Sequence, residues 1–198
     1  MFKLLFNPSE AIDHAKARKS FGLSFLTCVL GSLYLGITAF LLYFFAGYQT
    51  VERSLLFGLS LFIGGVAGSF YGGFLLNVIM KTLVGKGTFW AGFTTRVYAM
   101  YIVSFAGLIA SILWVVNLIL KNTLFTWVIY AAYLLLGPIV FAQALSAHLK
   151  AQKELYNTNM TVALVGLIVL IGVASLIAFI VSAVLKLMIA SIMLGNLG

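Results

Sequence analysis

Residues 20–51 read SFGLSFLTCVLGSLYLGITAFLLYFFAGYQTV, a run of thirty-two residues without Asp, Glu, Lys, Arg or His. A helix needs about 20 apolar residues to cross the roughly 30 Å of hydrocarbon in a bilayer. The run is therefore long enough for one membrane-spanning helix and too short for two. Four further charge-free runs follow it, at residues 54–80, 97–120, 122–147 and 155–185.

These five runs predict an all-α integral membrane protein with one transmembrane domain over residues 22–198. The bilayer core offers no partners to backbone polar groups, and helices satisfy their own hydrogen bonds. The strands of a membrane barrel would give alternating segments of about 10 residues instead. We expect a five-helix bundle with helices at about 22–46, 54–80, 97–119, 124–147 and 160–184. The tail after Lys186 could extend the last helix, lie on the outer surface or turn back.

The composition excludes a soluble protein. Of the 198 residues, 63% are hydrophobic and 8% are charged, whereas a soluble domain is about 45–50% apolar and about 25% charged. The net charge of +8 does not indicate a nucleic-acid partner, because the cations lie in short clusters between the apolar runs. The partner that the composition does predict is the lipid bilayer.

The positive charges predict the orientation, since cytoplasmic loops carry an excess of Lys and Arg. The first and third loops hold two such residues. The N-terminal segment and the second and fourth loops hold nine: Lys3, Lys16, Arg18, Lys19, Lys81, Lys86, Arg96, Lys150 and Lys153. We therefore expect the N-terminus in the cytoplasm and the C-terminus outside, in a multi-pass protein of the cell membrane if the source is prokaryotic.

The N-terminal segment, residues 1–21, is predicted to be cytoplasmic and amphipathic. Asn7 as N-cap and Pro8 at the first helical position are typical of a helix start. A short surface helix would then turn its cations toward lipid phosphates: Lys16, Arg18 and Lys19. The alternative is an arm that binds a partner protein.

Small residues recur every four positions in the first two spans. On the second span they are Ser60, Gly64, Gly68 and Gly72, with a neighbouring ridge at Gly65, Ser69 and Gly73. On the first span they are Ser24, Cys28, Ser32 and Gly36. Small residues at this spacing let helix backbones approach closely in lipid. We predict that the first two spans pack together along these ridges, and a homodimer interface or a substrate path remains open.

The second cytoplasmic loop, residues 81–96, is predicted to cap one helix at Gly85 and to begin an interfacial helix after Thr88. Its Gly-Lys-Gly-Thr does not match a phosphate loop, which needs Gly-x4-Gly-Lys-[Ser/Thr] after a strand. The residues of this loop that could contact a partner or the membrane interface are Lys86, Phe89, Trp90 and Arg96; the interfacial helix would also carry Phe93.

Two further features concern the bilayer interior. Pro138, after Gly137, predicts a kink in the fourth span, because proline removes a backbone donor and crowds the preceding turn. The predicted spans hold no Asp, Glu, Arg or His deep in the bilayer, where such groups mark ion and proton pathways. There is no catalytic or metal-binding grouping either, and Cys28 is the single cysteine. We therefore expect a protein that is not an enzyme and has no cofactor.

Three stretches carry a family resemblance: FNPSEA at residues 6–11, LVGKGTF at 83–89 and RVYA at 96–99. In their order and spacing the sequence resembles the Yip family of five-span membrane proteins that interact with Ypt/Rab GTPases, including archaeal and bacterial relatives. The resemblance implies five kinked spans with a cytoplasmic N-terminus. Eukaryotic members carry a long cytosolic N-terminal region, whereas here about 21 residues precede the first span. The resemblance is therefore to the short prokaryotic type, and a GTPase partner is not carried over.

Two main functions fit these observations, and a third, lipid binding or lipid chemistry, rests only on the basic cytoplasmic face. The first is a non-enzymatic scaffold, adaptor or accessory subunit of a membrane complex, which binds other membrane proteins or a second copy. The second is a small-solute channel or transporter, which would need oligomers because five helices form a thin bundle.

Overall fold

A computed structural model describes residues 8–18, 21–47 and 50–195 of the chain. These residues form six helices and their connections, and no strand occurs among them. The helices are α1 Pro8–Arg18, α2 Phe21–Phe45, α3 Val51–Val84, α4 Phe89–Leu120, α5 Thr123–Leu155 and α6 Met160–Gly195. Helices α2 to α5, with residues Met160–Val184 of α6, are long and apolar enough to cross a membrane. The predicted all-helical, five-span class is confirmed, and the orientation stays a prediction.

The connection from α3 to α4 follows the capping signals of the sequence. Gly85 adopts a left-handed conformation with φ 72° and its N–H donates to the Lys81 carbonyl, which ends α3. The Thr88 hydroxyl accepts from the Ala91 N–H and begins α4. The predicted separate interfacial helix is wrong, because no proline or second cap follows and the helix continues to Leu120.

Helix α4 is the centre of the bundle and packs against α2, α3 and α5. Its fully buried side chains, Phe93, Val97, Tyr98 and Tyr101, fill the space between these neighbours. Helix α6 contacts only α3 and α5 within the described chain. The residues that α6 buries lie in its first three turns: Ala163, Gly166 and Leu170.

Glycines allow α3 to approach its neighbours closely. A Cβ built on Gly65 would lie 2.9 Å from the Ser32 hydroxyl of α2, and one built on Gly36 would lie 2.8 Å from the Gly58 carbonyl. Further along α3, a Cβ on Gly73 would lie 2.6 Å from a backbone atom of α4. The face of α3 that carries Gly58, Gly65 and Gly73 is therefore the packing face.

The ridge predicted to pack on the first span lies elsewhere. Ser60, Gly64 and Gly68 are exposed, and a Cβ on Gly64 or Gly68 would have no atom within 4 Å. Gly72, the fourth member, lies under the side chain of Arg96. The prediction is wrong because one residue turns a helix by about 100°, and α2 approaches the neighbouring ridge. We call Ser60, Gly64 and Gly68 the outward ridge.

The matching ridge of α2 is buried along its whole length: Ser24, Cys28, Ser32 and Gly36. This ridge contacts both α3 and α4. Ser32 and Gly36 meet α3, whereas the Ser24 hydroxyl makes a 2.8 Å hydrogen bond with the Thr94 hydroxyl of α4. The predicted contact of the first two spans is thus part of a three-helix contact.

Helix α1 is docked on the bundle. Its buried Ile12 and Ala15 belong to one apolar cluster with three alanines of α5: Ala144, Ala147 and Ala151. The Lys16 ammonium pairs with Glu154 at 2.9 Å, so this predicted lipid-facing cation is held by α5 instead. Asn7 and Lys19 lie outside the described residues, and for Pro8 and Arg18 only the backbone is described.

The last two helices are longer than predicted. Helix α5 continues through Pro138 without a break and extends to Leu155, well beyond the predicted end at residue 147. The kink at Pro138 stays a prediction. Helix α6 continues to Gly195, so the segment after Lys186 extends the last helix.

Candidate functional site

One end of the bundle, which we call the basic end, gathers helix α1 and the connections at residues 85–88 and 156–159. This end carries most of the charged residues, and the positive-inside rule predicts that it faces the cytoplasm. Two ion pairs tie α1 to α5 there: Lys16 with Glu154, and Lys150 with Asp13 at 3.9 Å.

Glycines bring α3, α4 and the end of α5 together at the basic end. A Cβ on Gly87 would lie 2.8 Å from both the Asn77 Oδ1 and the Tyr156 ring, so the 85–88 connection crosses directly over these two side chains. A Cβ on Gly92 would collide with the Gly73 carbonyl and lie 2.9 Å from the Tyr156 hydroxyl. A larger residue at position 87 or 92 would therefore push the helices apart.

Beneath this connection lies a group of side chains that we call the polar cluster. Each has a buried polar atom without a hydrogen-bond partner among the described residues: Asn77 Oδ1, Trp90 Nε1, His148 Nε2, Gln152 Oε1 and Tyr156 Oη. A buried group without a partner costs about 1–3 kcal/mol, and native proteins hold few of them. Two further such atoms, the hydroxyls of Ser32 and Thr38, lie on α2.

The cluster offers hydrogen bonds rather than charge. Burial raises the pKa of the Tyr156 hydroxyl, which therefore stays protonated near neutral pH and can donate. The Gln152 amide already donates to the Met80 sulfur at 2.8 Å, while its carbonyl oxygen is free to accept. No group of three His, Cys, Asp or Glu side chains that could hold a metal occurs among the described residues.

The predicted interface residues of the second loop separate into two sets. Lys86 and Arg96 are exposed. Phe89 and Trp90 are instead half-buried, and the Phe89 ring stacks on Phe70 and Phe93 at centroid distances of 6.0 and 5.8 Å. Both rings also pack within the bundle, because α4 begins directly after Thr88 and turns them toward α3. Their role as interface residues stays a prediction.

The polar cluster was not predicted from the sequence. His148, Gln152 and Tyr156 recur every four residues at the end of α5, a spacing that places them on one helix face. That spacing is a signal the sequence contains. The proximity of Asn77 to Tyr156 is a tertiary contact, and no local pattern indicates it.

Arg96 lies about 10 Å along α4 from its start. Its side chain crosses Gly72, since a Cβ there would be 3.2 Å from the Arg96 Nε. The guanidinium then reaches a groove between α3 and α6. The extended helices thus include an arginine that the predicted spans, which began at residue 97, left outside.

Comparison with known proteins adds one finding. A family model described as the Yip1 domain matches residues 2–175. No curated protein and no solved structure matches the chain.

Proposed function

Because the chain belongs to the Yip1 domain family and is an integral, multi-pass membrane protein, we propose that it acts as a non-enzymatic scaffold or adaptor. In this role it associates side by side, within the membrane, with a helix of another membrane protein or of a second copy. The surface of association is the outward ridge of α3.

The outward ridge carries this proposal. Glycine in a helix interior costs about 1 kcal/mol relative to alanine, and contact with lipid gains nothing from its small size. Two glycines and a serine in line on an exposed helix face are, however, typical of surfaces where two membrane helices approach. No part of the described chain covers Gly64 or Gly68.

The other face of α3 illustrates what such spacing does. There Gly58, Gly65 and Gly73 bring neighbouring helices so close that an added Cβ would lie within 2.6–3.1 Å of their atoms. The outward ridge also lines up small residues, at a spacing of four, and is open, so it can admit a further helix at a similar distance.

The second candidate, a channel, has less support. The space between α2, α3, α4 and α5 is filled by aromatic and aliphatic side chains of α4. A solute path would therefore have to form between copies. Flux of ions or small solutes into liposomes that contain the purified chain, above that into empty liposomes, would favour this candidate over a scaffold.

The scaffold proposal is tested with Gly64→Leu and Gly68→Leu in the full chain. The matched control is Gly172→Leu on α6, since Gly172 is also exposed with no atom within 4 Å of an added Cβ. We expect the first two variants to lose an associated protein or second copy during purification in mild detergent, and the control to keep it. A wild-type chain that always purifies as a lone monomer would refute the proposal.

A copy-to-copy contact can be tested directly by disulfide formation. Ser60→Cys in a Cys28→Ser background places one thiol on the outward ridge. Cross-linked dimers in native membranes, lost on adding Gly64→Leu, would identify the second copy as the partner. Without a cross-link, the co-purification result decides between another protein and no association.

A further inference from the structure

A groove of about 310 Å³ runs between α3 and α6 on the side of the bundle. Its floor is formed by Gly68 and Gly72 of α3, and its far wall by apolar side chains of α6, which include Leu167, Leu170 and Ala174. Arg96 of α4 is the charged residue that reaches it. Because α3 and α6 are both candidate membrane spans, we expect the groove between them to be accessible to lipid.

The absence of a side chain at Gly72 makes this position of Arg96 possible. A Cβ on Gly72 would lie 3.2 Å from Nε and 3.4 Å from both Cδ and Cγ of Arg96. The aliphatic part of Arg96 therefore rests on the α3 backbone, and Arg96, which is exposed, lines the groove.

Within the described residues, no carboxylate pairs with Arg96. The sequence holds four acidic residues. Of these, Asp13 pairs with Lys150, Glu154 pairs with Lys16, and Glu52 lies at the opposite end of α3. The fourth, Glu10, lies in the first turn of α1. An arginine in a largely apolar site is costly without an anion, and no described carboxylate supplies one, which favours an anion from outside the chain.

The depth of Arg96 indicates the source of that anion. Helix α4 has 32 residues and is about 48 Å long, while the hydrocarbon core is about 30 Å thick. A centred helix would therefore extend about 9 Å beyond the core at each end. Arg96 lies about 10 Å from the start of α4, which is close to the boundary between hydrocarbon and lipid headgroups.

We propose that this groove is a binding site for one anionic phospholipid. The guanidinium of Arg96 binds the phosphate with paired N–H donors, a geometry that suits arginine and phosphate oxygens. An acyl chain lies between α3 and α6 against Leu167, Leu170 and Ala174. This groove borders the outward ridge and shares Gly68 with it, but lipid binding by Arg96 does not depend on the scaffold role.

The test uses the purified full chain titrated with dioleoyl phosphatidylglycerol, with bound lipid counted by native mass spectrometry. Arg96→Gln removes the charge, and its matched control is Lys86→Gln, which removes an exposed cation from the same end. We expect Arg96→Gln to bind the first lipid about tenfold more weakly or worse, since a charged hydrogen bond is lost, and Lys86→Gln to bind as the wild type does.

A second pair of variants tests the groove without changing charge. Ala174→Phe fills it, and the control Ala131→Phe adds the same ring at an exposed position of α5. We expect only Ala174→Phe to weaken lipid binding. This pair also decides the matter if Arg96→Gln fails to fold.

Two lipid controls identify the ligand. Dioleoyl phosphatidylcholine should bind more weakly than phosphatidylglycerol, because its choline cation offsets the phosphate charge. Inorganic phosphate in large excess should not displace the lipid, because it cannot fill the apolar wall. Any one of three results would overturn the proposal. These are equal lipid binding by Arg96→Gln and Lys86→Gln, unchanged lipid binding by Ala174→Phe, and displacement of the lipid by inorganic phosphate.

Discussion

Replacement of Gly73 by alanine tests a close backbone contact between α3 and α4. A Cβ at this position would lie 2.6 Å from the Phe93 Cα, 2.8 Å from its N and 3.1 Å from its Cβ. Carbon atoms in ordinary contact are about 3.5–4.0 Å apart, so α3 and α4 would have to separate by nearly 1 Å. The nearest atoms belong to backbone, which cannot rotate away as a side chain end can.

The loss of stability in Gly73→Ala is best measured as a difference from Gly64→Ala. Both variants gain the same helix propensity from the change of glycine to alanine, and Gly64 has open space around it. The difference is therefore the overpacking cost, about 1–3 kcal/mol. At about 2–4 °C per kcal/mol for a chain of this length, Gly73→Ala should melt roughly 2–12 °C below Gly64→Ala.

The single cysteine provides the assay. Cys28 is fully buried in the folded bundle, so a thiol-reactive fluorophore reports unfolding in detergent as the temperature rises. If Gly73→Ala melts at the same temperature as Gly64→Ala or above it, the close approach of α3 and α4 at this position is refuted.

Three further predictions concern the basic end. Tyr156→Phe should keep or raise the melting temperature, because it removes a buried hydroxyl without a described partner. Such an unpaired group costs about 1–3 kcal/mol. A clear fall in melting temperature would mean that the hydroxyl is hydrogen-bonded. Lys16→Glu should speed amide hydrogen exchange in α1 up to about fivefold, which is the factor that corresponds to the stabilisation by an exposed ion pair. Adding Glu154→Lys should restore the slow exchange rate. Exchange that stays fast in the double variant would show that the ion pair does not hold α1 on α5. Lys86→Cys in a Cys28→Ser background should resist an impermeant thiol reagent in intact cells and react after permeabilisation, and labelling from outside would reverse the predicted orientation.

The sequence alone determined the number of spans and several of their ends. Charged side chains are too costly in hydrocarbon, so the few charged positions mark the spans without reference to any tertiary contact. The caps at Gly85 and Thr88 were equally predictable, because capping depends on a local backbone conformation and one side chain. Helices α3 to α6 are longer than their charge-free runs, since backbone hydrogen bonds continue past the first charged residue. Helix α2 is shorter than its run and ends at Phe45.

The tertiary structure decided which faces of those helices meet. Two small-residue ridges lie side by side on α3, and the sequence holds no information on which of them α2 approaches. Packing selected Gly65 and Gly73 and left Gly64 and Gly68 outside. The same selection turned Phe93 inward, away from the membrane interface predicted for it.

Sites assembled from distant residues were also beyond the sequence. Asn77 and Tyr156 come together beneath Gly87, and Arg96 lines a groove formed by α3 and α6. Hydrocarbon limits where charge can lie along the chain, which is a property of each segment by itself. Which segments become neighbours depends on the fit of whole helix surfaces, and that fit exists only in the folded bundle.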